Sequence, residues 1–182
     1  MKRYLLTGSI GFCLTSLCVF ATVAFAERWM YENLGITGAY LVWTVLFIGL
    51  GGAVLRPLVK DSIRAVKFYT IFAIGFFLYA VGWTGAYFTL RGVVGEWVGS
   101  FVGSILLGLV FVVGFGTWRV ALRLCTVLFI LNSIGYFLGS ALNASIGGQG
   151  GMLLWGVAYG LFLGAGLGMA LYLVQNSIKE VI

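Results

Sequence analysis

The chain has 182 residues, of which 62% are hydrophobic and only 9% charged, against roughly 25% charged residues in an ordinary soluble domain. That leaves too little polar surface to coat a water-soluble core, and the apolar blocks exceed the roughly 18 residues that mark a bilayer-spanning helix, so lipid is the expected solvent. The net charge of +6 comes from Lys and Arg scattered at the ends of apolar blocks rather than clustered on a polar element, which argues against nucleic acid as a partner and matches the way membrane proteins fix their orientation.

The first apolar block, Tyr4–Ala26, follows Lys2 and Arg3. Ala24-Phe25-Ala26 has the form of a signal-peptidase site, but the block would span roughly 34 Å as a helix, longer than the roughly 7–15 residues of a signal core, so a retained first transmembrane helix is expected. Cys13 and Cys18 would lie about 140° apart on that helix and form no C-x-x-C pair. With Cys125 they sit inside apolar stretches as small core residues.

Further blocks follow at Ile36–Leu55, Phe68–Leu90, Trp97–Trp118, Leu124–Leu142 and Met152–Val174, and every Asp, Glu, Lys and Arg falls outside all of them. A charge at a helix centre costs about 2.5–3.5 kcal/mol on insertion scales, so this exclusion is what stable insertion requires. The fold class expected is all-α: a polytopic membrane protein with six transmembrane helices, short loops and a single domain over residues 1–182. Pro57, the only proline, stands where it stops the second helix without breaking one inside the bilayer. The segment Leu58–Lys67 is expected to form a short interfacial helix with Lys60, Arg64 and Lys67 on one face, and Arg119 and Arg123 repeat the spacing in the next inner loop. Contact with anionic lipid headgroups, or with a cytoplasmic partner, is the role expected of these five cations.

Lys2, Arg3, Arg56, Lys60, Arg64, Lys67, Arg119, Arg123 and Lys179 fall on one side of the six-helix topology, and Arg28 and Arg91 on the other. The bias makes both termini cytoplasmic. A bacterial inner (plasma) membrane is the expected location.

Glycine is the most informative residue, with 28 copies. Gly95, Gly99 and Gly103 recur every four residues, as do Gly156, Gly160, Gly164 and Gly168. Small residues at this spacing flatten a helix face and let another backbone approach, so these two rows are the expected helix-packing seams, within the chain or towards another copy or another membrane subunit. Tryptophan is lopsided: Trp43, Trp83, Trp97 and Trp155 fall towards the outer surface on this topology. An aromatic belt belongs at both interfaces, so the excess marks these four as candidates for an outward-facing aromatic pocket.

Histidine is absent, and the five acids, Glu27, Glu32, Asp61, Glu96 and Glu180, all lie in loops or tails. No catalytic residue, metal site or cofactor is expected, since the usual general base, ligand sets and intramembrane carboxylate relays are missing. Among polar groups inside the blocks, Asn132 beside Ser133 is expected to bond across helices. Two functions fit: a non-catalytic packing or assembly subunit of a larger membrane complex, favoured by the glycine rows, or a binding or transport component for a small, weakly polar solute, favoured by the aromatic excess.

Overall fold

The computed structural model describes residues 1–60 and 63–177. Every regular element among the described residues is helical: α1 (Lys2–Leu55), a 3₁₀ turn (Arg56–Leu58), α2 (Ala65–Leu90), α3 (Gly92–Phe115), a second 3₁₀ turn (Trp118–Val120), α4 (Ala121–Ile146) and α5 (Gly148–Ser177). Each of the five α-helices is long and apolar enough to cross a membrane. Asp61, Lys179 and Glu180 lie outside the described residues.

The expected loop between the first two apolar blocks is helical instead. The charges at Glu27, Arg28 and Glu32 end the apolar run but not the helix: Arg28 Nε pairs with Glu32 Oε1 one turn on at 2.8 Å, and the Asn33 amide donates to the Trp29 carbonyl. The break comes only at Gly35, with φ 66° and ψ 175°, a backbone region that is essentially restricted to glycine. A straight helix of 54 residues would hold its ends roughly 80 Å apart. In the structure the Arg3 guanidinium donates to the Pro57 carbonyl at 3.2 Å, and Phe12 stacks on Phe47. Helix α1 is therefore a hairpin, with an N-terminal arm over residues 2–34 and a C-terminal arm over 36–55.

Two other local expectations change. The segment Leu58–Lys67 is not one interfacial helix: Val59, Lys60, Ile63 and Arg64 are non-helical, and Lys67 already belongs to α2. Leu58 and Val59 are drawn into the core, and the Lys60 backbone N–H is taken by Gln175 Oε1 at 2.8 Å, which pulls that stretch away from the interface. Helix α3 stops at Phe115 rather than Trp118, because Gly116 adopts a left-handed cap (φ 68°) whose N–H returns to Val112 and Val113.

Helix α5 is the hub. It packs against α1 on one side and α4 on the other, while α2 pairs with α3, α3 with α4, and α1 with α2. The core is aromatic and leucine-rich, with Phe12, Phe72, Phe76, Phe111, Leu128 and Leu167 fully buried. Leu6, Ile10, Leu14, Val113 and Leu122 stay exposed on the outside of the bundle, the pattern of helices whose outer faces meet lipid. At one end Gln175 ties the structure together. Its Nε2 donates to the Leu58 and Leu171 carbonyls, and its backbone carbonyl accepts from Lys60 Nζ at 3.0 Å.

Candidate functional site

The glycines fix where helices meet. On α5 each member of the row faces the N-terminal arm of α1: a Cβ at Gly156 would lie 2.7 Å from Phe20 Cβ, at Gly160 2.6 Å from Cys13 Cα, and at Gly164 and Gly168 against the carbonyls of Gly8 and Tyr4. On α3 the row faces α2, with Gly95 against Tyr87, Gly99 against Trp83 and Gly103 against Tyr79. Gly135 and Gly139 of α4 meet Tyr159 and Trp155 of α5. These faces are occupied by neighbouring helices of the same chain.

The close approaches seat a group of polar side chains in the middle of the bundle. Tyr79 Oη donates to Asn132 Oδ1 at 2.9 Å and lies 2.7 Å from Tyr159 Oη. Asn132 Nδ2 donates to Ser100 Oγ at 2.8 Å, and Ser100 Oγ lies 2.7 Å from Ser133 Oγ. One connected network thus joins α2, α3, α4 and α5, with all five residues buried. Burying these groups unpaired in an apolar medium would cost about 1–3 kcal/mol each. The pairing removes that penalty and gives the four helices a defined register.

Above this network, towards the Gly35 end, a cavity of about 200 Å³ opens. The C-terminal arm of α1 contributes Tyr40, Trp43 and Phe47, and α2 contributes Phe76, Tyr79 and Trp83; Phe20, Tyr136 and Tyr159 close it from the N-terminal arm, α4 and α5. The rings pack on one another: Phe47 on Phe76 at 5.3 Å, Phe76 on Tyr79 at 5.4 Å and Trp83 on Tyr136 at 5.3 Å. None of the lining side chains is charged.

Of the four candidate tryptophans, Trp43 and Trp83 form the cavity wall. Trp155 stands behind it, against Phe20 and Tyr136. Trp97 is elsewhere, half exposed and packed on Phe137 at 4.3 Å. The indole nitrogens of Trp43, Trp83 and Trp155 are enclosed by protein and have no hydrogen-bond partner among the described residues. Sequence reasoning singled out Asn132 and Ser133 but not Tyr79 or Tyr159, because a tyrosine in an apolar block carries no sign of its partner until the helices are placed.

A groove of about 450 Å³ runs between the C-terminal arm of α1 and α2, and it shares Tyr40, Thr44, Ala80 and Thr84 with the cavity. Its remaining wall includes Ile36, Leu41, Phe77, Val81 and Phe88, all exposed. Three of its four threonines make little polar surface, since Thr44, Thr84 and Thr89 donate to the carbonyls of Tyr40, Ala80 and Gly85 on their own helices at 2.7–2.8 Å.

At the opposite end, Arg64, Lys67, Arg119 and Arg123 are exposed, whereas Lys60 is half-buried against Gln175. Compared with protein-family models, curated proteins and solved structures, the chain shows no match.

Proposed function

We propose that the protein is a six-span membrane protein that holds a small, weakly polar solute in the aromatic cavity, as a binding or transport component. The observation that carries this reading is the cavity itself: a space walled by nine aromatic residues from both arms of α1 and from α2, α4 and α5, without a charged side chain. Ligand sites are concave and mostly apolar with a few convergent polar groups, and here the Tyr79–Tyr159 pair supplies them. The volume, about 200 Å³, is below the roughly 300–1,000 Å³ of pockets for drug-sized ligands, which favours a solute of one or two rings. The groove between α1 and α2, with the hydroxyls of Thr44, Thr84 and Thr89 turned back on their own helices, gives such a solute a path from the lipid past uncharged side chains.

The hairpin in α1 supports six crossings, since each arm is apolar and the Arg3–Pro57 contact brings the arm ends together. Tyr4 packs on Tyr172 at 5.5 Å, so the start of α1 and the end of α5 share one end of the bundle. The excess of Lys and Arg at that end supports its being cytoplasmic. Arg64, Lys67, Arg119 and Arg123 then face the inner leaflet, where anionic headgroups are their natural partners. The glycine rows that favoured the assembly role meet helices of this same chain, so they do not by themselves single that role out.

The experiment is a tryptophan-fluorescence titration of purified protein with neutral bromoarenes, whose heavy atom quenches on contact. Saturable quenching is expected, weakened in Trp43→Phe and Trp83→Phe and retained in Trp97→Phe. Quenching that never saturates, or that Trp97→Phe weakens as much as the other two, would refute the reading.

A further inference from the structure

We propose that the solute is a neutral hydrogen-bond donor of the phenol or aryl-alcohol class, whose O–H is accepted by the Tyr159 hydroxyl oxygen. This rests on the reading of the cavity as a binding site and follows from counting hydrogens. Asn132 uses its amide N–H on Ser100, so its oxygen faces Tyr79. A phenol carries one hydrogen, and that of Tyr79 goes to this oxygen. The 2.7 Å contact between Tyr79 and Tyr159 must therefore be donated by Tyr159. Its hydrogen is spent inward, and its oxygen keeps lone pairs without a donor.

Two threonines of the cavity wall add no free donor to this balance. Thr44 and Thr84 donate to their own helices. The indole nitrogens of Trp43 and Trp83 are enclosed. A solute that only accepts hydrogen bonds finds nothing to accept from at the floor, and a charged one finds no counter-ion in the lining. A neutral donor satisfies the open oxygen while its ring fills the aromatic space.

The test compares 4-bromophenol (donor), 4-bromotoluene (no polar group) and 4-bromoacetophenone (acceptor only), each quenching tryptophan, with partitioning into empty micelles measured and divided out. 4-Bromophenol should bind about three- to tenfold more tightly than 4-bromotoluene, the worth of one neutral hydrogen bond, and Tyr159→Phe should shrink that preference while leaving 4-bromotoluene unchanged. Asn132→Leu is the second variant. It releases the Tyr79 hydrogen, lets the phenol pair turn round, and should shift preference towards 4-bromoacetophenone, an inversion that loosened packing alone does not produce. Equal binding of all three probes to the wild type, or equal losses for all three in Tyr159→Phe, would overturn the donor assignment and leave the cavity standing as a binding site. If none of the three quenches saturably, the cavity reading falls and the donor assignment with it.

Discussion

Gly160→Ala, paired with Gly166→Ala on the same helix, separates close helix packing from helix propensity. At Gly160 a Cβ would sit 2.6 Å from both Cys13 Cα and Ser16 Cβ and 2.9 Å from the Phe12 carbonyl oxygen. Two of these atoms are backbone and cannot swing aside, so α5 and the N-terminal arm must part by roughly 1 Å to regain ordinary contact, and a gap of that size forfeits about a quarter to a half of each neighbouring dispersion contact. In lipid no hydrophobic drive compensates, because packing itself holds the helices together. Overpacking of this kind costs about 1–3 kcal/mol, which at about 2–4 °C per kcal/mol for a chain of this length lowers Tm by about 2–12 °C. At Gly166 the nearest atoms, Leu128 Cδ2 at 3.4 Å and Leu131 Cβ at 3.5 Å, already stand at ordinary contact distance, and the helix gains the better propensity of alanine, about 0.5–1 kcal/mol. Thermal unfolding in one detergent, followed by size-exclusion chromatography, should rank Gly166→Ala at or above wild type and Gly160→Ala clearly below. Equal melting of the two variants would refute the reasoning.

Gly35→Ala should destabilise by about 1–3 kcal/mol although nothing lies within 4 Å of its Cβ, because its φ of 66° is strained for any other residue; Gly49→Ala, equally open but inside a helix, should raise Tm, and a matching fall in both would refute the backbone argument. Gly85→Leu places a side chain in the groove, in open space and outside the cavity lining. Stopped-flow quenching with 4-bromophenol should slow severalfold in both association and dissociation with Kd unchanged, and unaltered rates would rule out the sideways route. A cysteine at the exposed Val66, in a variant lacking Cys13, Cys18 and Cys125, should resist an impermeant maleimide in intact cells and react once the membrane is permeabilised. Labelling in intact cells would reverse the proposed orientation.

The apolar blocks were legible because insertion forbids charge at depth, and the ends of α2 and of the C-terminal arm of α1 fall close to where the charges begin. The course of the chain between blocks was less legible. Glu27, Arg28 and Glu32 signal departure from the bilayer core, yet a helix continues through them because Arg28 and Glu32 pair along it. Leu58 and Val59 look like one face of an interfacial helix until Gln175 is placed beside Lys60, 115 residues away in sequence. For the site, an aromatic excess at one depth pointed to Trp43 and Trp83. Depth alone does not fix which way a helix faces, however, and Trp97, at similar depth, faces away on α3.

The glycine rows and the aromatic excess pointed to rival functions in the sequence, yet the structure makes them parts of one arrangement. Gly103 lies against the ring of Tyr79, Gly99 against Trp83, Gly156 against Phe20 and Gly135 against the backbone of Tyr159, so each of these four cavity residues is backed by a glycine of the neighbouring helix. A larger residue at any of these glycines would push its partner forward into a space of only about 200 Å³. The same contact that brings two helices together therefore sets how far an aromatic ring stands from the cavity axis. Tyr79 shows the coupling most directly: Gly103 holds its ring at 2.9 Å from where a Cβ would be, and that position brings its hydroxyl within reach of both Asn132 and Tyr159. Tight packing and an open aromatic site are, in this chain, consequences of the same small residues.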